Sequence, residues 1–158
     1  MTKESFRPQV PTLVSNTRCA ELAKFVIYES PLTVFSEHPD HVLGQPGADF
    51  LSRVQTTWDD TRFLDGYPGE YVAVAHRTGR EWFVGVLNNS QVRTVTLDTS
   101  FLPEGEYTLE YWADGPKADK DPTAVTHKTV SLRAGRPLKL KLAPAGGYVA
   151  ILLPTHPS

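Results

Sequence analysis

Four acidic residues lie close together in the middle of the chain: Asp59, Asp60, Asp65 and Glu70. Two carboxylates across a scissile bond are what glycoside hydrolysis needs. A tighter acidic group could hold calcium, but this spacing matches no calcium-loop template. Asp59-Asp60 before Thr61 and Asp65-Gly66 read better as caps and turns, where a short carboxylate bonds nearby backbone amides. The histidines are His38, His41, His76, His127 and His156. His38 and His41 flank Pro39, with Glu37 and Asp40 nearby, which is short of a zinc ligand set. A solvated loop is the favoured reading there. No Ser-His-Asp arrangement stands out. Gly146-Gly147 follows Pro144 and precedes a strand, so it reads as a turn and not a phosphate cradle. These residues yield no catalytic, cofactor-binding or metal-binding assignment.

Aromatic side chains are the other candidates, because sugar binders stack rings on sugar faces. Trp82 lies in an apolar strand and is assigned to the core. Trp112 shares a strand face with Thr108 and Glu110, while Tyr107, Leu109 and Tyr111 share the other. Trp112 is therefore expected to be exposed and is the single candidate carbohydrate contact. Trp58 and Tyr67 fall in the connection between two differently patterned halves, and Trp58 reads as an interdomain plug.

Those halves meet near residue 58. Before it the pattern is helical: Cys19, Leu22, Ala23, Val26 and Ile27 follow the spacing of one helix face. Ser15, Asn16 and Thr17 are candidate N-caps, and Pro31 stops the run. Pro39 to Gly47 reads as a loop, and a short helix is expected over 48–54. After residue 70 seven strands are expected, at 71–77, 81–88, 92–98, 106–113, 124–132, 138–142 and 148–153. Thr78-Gly79 marks a tight hairpin between the first two. The fold class is mainly β: a small antiparallel sandwich of about seven strands with an N-terminal helical segment. The run 148–153 is apolar on both faces and is expected at the centre of its sheet.

The chain has 158 residues, 40% apolar and 22% charged, with a formal charge of -2. It has no basic run to attract nucleic acid and no apolar stretch near the ~20 residues that cross a bilayer. The first ten residues are polar and do not read as a secretory signal. Cys19 is the single cysteine, which rules out a disulfide framework within the chain and assigns it to packing. By this pattern the helix carries more apolar surface than one small sandwich is expected to bury. That predicts self-association through the helix or a missing partner domain.

A series of local signatures resembles the C-terminal region of glycoside hydrolase family 97, a family of α-glucosidases and α-galactosidases. These are Thr17-Arg18, Glu21-Leu22-Ala23, Tyr28-Glu29-Ser30-Pro31-Leu32, Trp58-Asp59-Asp60-Thr61, Leu64-Asp65-Gly66, Gly69-Glu70-Tyr71-Val72, Arg77-Thr78-Gly79 and Trp82-Phe83-Val84-Gly85. Leu142-Ala143-Pro144, Gly146-Gly147-Tyr148 and Ile151 continue the series. Gly85-Val86, where relatives often carry two glycines, and His76, where a basic residue or arginine is usual, depart from it. The resemblance implies that residues 1–57 match the end of a (β/α)8 catalytic barrel, with Thr17–Tyr28 as its last helix. Residues 58–158 then match a C-terminal sandwich linked with oligomerisation. It implies catalytic carboxylates and calcium in barrel segments upstream, so no catalytic residue and no cofactor is carried over to this chain. The expected function is non-catalytic: stabilisation and self-association within a larger α-glycosidase. The alternative is an independent carbohydrate-binding module using Trp112.

Overall fold

A computed structural model describes residues 16–30, 32 and 39–155. The elements are helices α1 (Arg18–Ile27), α2 (Pro39–Val42) and α3 (Ala48–Leu51) and eight strands. The strands are β1 (Asp60–Tyr67), β2 (Tyr71–Thr78), β3 (Glu81–Asn88), β4 (Arg93–Leu97), β5 (Glu106–Asp114), β6 (Val125–Arg133), β7 (Leu138–Leu142) and β8 (Gly147–Pro154). Six strands form one sheet in the order β1-β2-β3-β8-β5-β6, and β4 pairs with β7 in a second. Every pairing is antiparallel. The mainly β fold is as the sequence predicts, and β8 is central in the large sheet.

Alternation along each strand builds two cores. Trp82, Val84 and Val86 of β3 and Tyr148, Ala150 and Leu152 of β8 face the small sheet. There they meet Val95, Leu97, Leu140 and Leu142. Thr96, Lys139 and Lys141 point the other way and are exposed. On the opposite face, Phe83, Val149, Ile151 and Trp112 pack with Cys19, Leu22, Ala23 and Val26 of α1 and Phe50 of α3. Three layers result: α1, the six-stranded sheet and the β4–β7 ribbon.

This arrangement corrects the expectation of a surplus helix face. Cys19, Ala20, Leu22, Ala23 and Val26 are all buried within the chain. The reason is how closely α1 approaches the sheet. A Cβ added at Gly85 would lie 2.7 Å from Val26 Cβ, and one at Gly147 would lie 2.5 Å from Ala20 Cα. With hydrogen at both positions the helix backbone settles onto β3 and β8, and its narrow apolar stripe is consumed. These five side chains are therefore not free to meet a second copy, whereas Phe25 and Ile27, also expected on the apolar surface, are half-buried.

One strand escaped the sequence reading. β1 is an edge strand exposed along much of its length, with a register irregularity between Phe63 and Asp65. A bulged, solvated edge has no need of alternating apolar residues. Its Asp65-Gly66 looks like a turn but lies inside the strand. α2 also forms where a loop is expected, and α3 ends three residues before the predicted helix does.

Candidate functional site

The start of α1 is tied to the sheet by a network of hydrogen bonds. Thr17 caps α1: its Oγ1 accepts from the Ala20 amide at 3.1 Å and donates to Asp114 Oδ1 at 2.6 Å. Asp114 ends β5, and its Oδ2 accepts from the amides of Ala143 (2.9 Å) and Gly147 (3.0 Å). One carboxylate thus ties the helix cap to the turn between β7 and β8. Burial pushes the Asp114 carboxyl above its ordinary range, while the Thr17, Ala143 and Gly147 donors pull it back. Cys19, one turn into the helix, is fully buried, and burial followed by the Asp114 charge pushes its thiol well above the usual range. The Gly146-Gly147 pair is therefore more than a turn, since Gly147 opens β8 under the helix.

The acidic group divides between the ends of the β1–β2 hairpin, with Asp59 and Asp60 at one and Asp65 and Glu70, both close to Tyr71, toward the other. Asp59 Oδ2 accepts from the Gly79 amide at 2.7 Å, and Asp60 pairs with Arg62 at 3.0 Å. Asp65 accepts from the Tyr71 hydroxyl at 2.6 Å, and Glu70 pairs with Arg93 at 2.8 Å. Asp60 lies opposite Arg77 at one end of the β1–β2 hairpin, and Tyr67 opposite Tyr71 at the other. At about 3.3 Å per residue those ends are roughly 20 Å apart, whereas paired glycosidase carboxylates stand within about 10 Å.

The candidate carbohydrate contact is overturned. Trp112 is 0% exposed. Phe50 of α3 meets it edge-on at 5.3 Å, and His127, its direct cross-strand partner on β6, stacks on it at 4.5 Å. The strand face was assigned correctly, but α3 returns over it, which no local pattern announces. Trp82 is buried as expected, edge-on to Phe101. Trp58 closes the far end of the α1 face, stacked on His76 at 4.8 Å and tilted against Phe83. His76 is buried, with Nδ1 sharing a 2.9 Å hydrogen bond with Thr61 Oγ1, and burial lowers its pKa. Tyr67 is exposed beside a shallow groove with Phe63, Gly69, Val72 and Asn89. His38, Glu37 and His156 lie outside the described residues, and His41 falls in α2.

The sequence reading missed a charged cluster above Trp112. Arg53, just after α3, donates to Glu110 Oε2 at 2.7 Å and to Glu81 Oε1 at 2.9 Å. Glu110 Oε1 meets His127 Nε2 at 2.9 Å. The residues span 53 to 127: the β5–β6 register sets His127 near Glu110, and the return of the chain after α3 brings in Arg53.

Comparison with known proteins accounts for this architecture. Residues 57–153 match the family described as "Glycosyl-hydrolase 97 C-terminal, oligomerisation". A retaining alpha-galactosidase of Bacteroides thetaiotaomicron is 32% identical over 133 residues, covering 84% of this chain and 20% of that protein. A probable retaining alpha-galactosidase of Streptomyces bingchenggensis is 31% identical over 147 residues, covering 92% of this chain and 22% of its own length. The fold superposes with TM-score 0.84 and 28% identity on a glycoside hydrolase family 97 enzyme from Pseudoalteromonas sp. strain K8, solved with acarbose. That match covers 89% of this chain and 23% of the enzyme. The chain spans about a fifth of the length of the curated relatives it matches. The chain belongs to glycoside hydrolase family 97 and carries that family's C-terminal oligomerisation domain.

Proposed function

We propose that this chain is the non-catalytic C-terminal part of a family 97 α-glycosidase, acting by stabilisation and self-association and performing no hydrolysis of its own. The observation that supports it is the match of residues 57–153 to an oligomerisation domain within a chain about one-fifth the length of its relatives. In this reading residues 1–57 are the end of a (β/α)8 barrel, α1 is its last helix, and 58–158 form the β domain. The helix, locked to the sheet by Gly85, Gly147 and Asp114, then fixes the orientation of the catalytic unit that precedes it. Calcium and the catalytic carboxylates belong to that upstream unit, with an α-galactoside as the substrate class suggested by the relatives' names.

Because most of the α1 stripe is buried within the chain, another surface is the better candidate for meeting a second copy. Among the exposed apolar side chains, Phe63 and Tyr67, 68% and 64% exposed, lie together on the edge strand β1 and are our candidates to meet it. Purified chain should give no turnover of aryl α-galactosides or α-glucosides with calcium present. Light scattering over a concentration series should show a mass that rises with concentration, and Phe63→Asp should lower it. Turnover that Asp59→Ala, Asp60→Ala or Glu70→Ala abolishes would overturn the non-catalytic reading. A mass fixed at one monomer throughout would overturn self-association. The carbohydrate-module alternative rested on an exposed Trp112, which is buried.

A further inference from the structure

We propose that Asp49, Glu110 and His127 form a divalent-cation site of the zinc type. The three come from α3, β5 and β6, and each offers one ligand atom, all within 4.8 Å of one another. His127 Nε2 stands 2.9 Å from Glu110 Oε1 and 3.9 Å from Asp49 Oδ2. Zinc bonds of about 2.0–2.2 Å at tetrahedral angles put ligand atoms roughly 3.3–3.5 Å apart. Glu110 and His127 need only part slightly and Asp49 swing inward, a small rotation for an exposed side chain.

The surroundings fix each ligand. His127 lies flat on Trp112, with an interplanar angle of 12°, so its ring plane is set. Trp112 is held in turn by Phe50, the neighbour of Asp49 in α3. Burial of Phe50 thus delivers the Asp49 carboxylate over the imidazole. Arg53 occupies Glu110 Oε2 and leaves Oε1 as a single-oxygen ligand, the kind of outer contact that orients metal-binding carboxylates. Charge points the same way. Glu81 and Glu110 share the guanidinium of Arg53, and Asp49 adds a third carboxylate beside His127, an excess of negative charge that a divalent cation would offset. One nitrogen and two single oxygens suit zinc, with water completing the shell. Calcium would need six to eight oxygens, and Arg53 already holds the second Glu110 oxygen. The cation would clamp the short helix α3 onto the β5–β6 edge. This assignment is independent of the oligomerising role.

The test uses the whole chain, stripped with EDTA and titrated calorimetrically with zinc chloride, then with cobalt chloride under visible absorption. Expected are one saturable equivalent of zinc, a cobalt ligand-field band, and a zinc-induced rise in melting temperature. Asp49→Asn and His127→Gln should each weaken zinc binding at least tenfold and remove the rise in melting temperature. Glu70→Gln, at the other end of the sheet, should leave both unchanged. Asp49 is exposed, so its substitution tests the site without threatening the fold. Absence of saturable binding to the unaltered chain would overturn the proposal and leave an ordinary ion-pair cluster. Undiminished zinc binding by Asp49→Asn and His127→Gln would overturn it too, placing the metal elsewhere.

Discussion

The two faces of the six-stranded sheet solve one problem in opposite ways. Toward the β4–β7 ribbon, the sheet offers large side chains, Trp82, Tyr107, Leu109, Tyr148 and Leu152, and fills a gap between sheets. Toward α1 it sets glycines at 85 and 147 among Phe83, Trp112, Val149 and Ile151, and at the glycines the helix backbone itself becomes the filling. The first face is held by volume, so its cost of error is a cavity. The second adds proximity to volume, so there an error can also be a clash. The second also carries the polar fixings, Asp114 on Thr17 and Arg53 on Glu81 and Glu110, which fix where the helices lie and not merely that they bind. Packing by volume tolerates sliding, whereas packing by contact with backbone does not.

Truncating a large ring on either face should cause the largest loss. Trp82→Ala and Trp112→Ala are each expected to cost about 3–5 kcal/mol, read from urea midpoints at a common slope. Equal losses would show that both faces depend on buried volume despite their different designs. A Trp112→Ala loss below about 1 kcal/mol would mean that α3 is not a standing part of the core. The sharper test of proximity is Gly147→Ala, one methyl group placed 2.5 Å from Ala20 Cα. It should cost about 1–3 kcal/mol by overpacking. Loss of the near-ultraviolet signal with retained β structure would locate the damage at the helix. A neutral result would break the comparison, because the helix would then float on the sheet.

A smaller effect tests the polar end of the helix face. Burial holds His76 below the ordinary histidine pKa, so the folded state disfavours its protonation. The unfolded chain then binds more protons at mildly acid pH, and stability must fall as pH drops below about 6.5. The contribution is fully present above that value and is lost as pH falls through the folded pKa. His76→Phe should flatten this part of the thermal-stability profile. A profile unchanged by the substitution would assign the acid sensitivity to other groups. The smallest effect is expected outside both faces: Lys139→Ala, on the exposed side of β7, should cost about 0.5 kcal/mol or less in the same urea series. A larger loss would mean that the β4–β7 ribbon has its faces reversed.

The contrast between the faces also explains what could be read in advance. β3 and β7 were legible to the residue, because alternating apolar positions and hairpin signals are local. Trp82 was legible for the same reason. Thr17, the N-cap, stood among three candidates and needed Asp114, 97 residues away, to single it out. Trp112 was misread because its cover is α3, a four-residue helix whose return no periodicity records. β1 was missed because an exposed, bulged edge carries no apolar alternation. The Asp49–Glu110–His127 group was invisible for a third reason: β-strand register, not spacing, makes Glu110 and His127 neighbours. Glycines 85 and 147 did carry a signal. A glycine inside an apolar strand marks a close backbone approach, and the apolar helix upstream was the partner to seek.

The position of Cys19 gives the helix interface a clock. The thiol lies between α1 and the sheet, shielded from solvent and held in its unreactive protonated form by burial and the Asp114 charge. A thiol reagent can reach it only when the helix lifts. As the chain's single cysteine, it makes every labelled molecule the record of one such opening. Labelling rates in dilute denaturant would separate a helix that peels from the sheet alone from one that leaves with the whole β domain. If peeling comes first, the seam between α1 and the sheet is a hinge under load. If the two coincide, helix and sheet have no separate lives, and the same covalent chain that joins them also makes them a single cooperative unit.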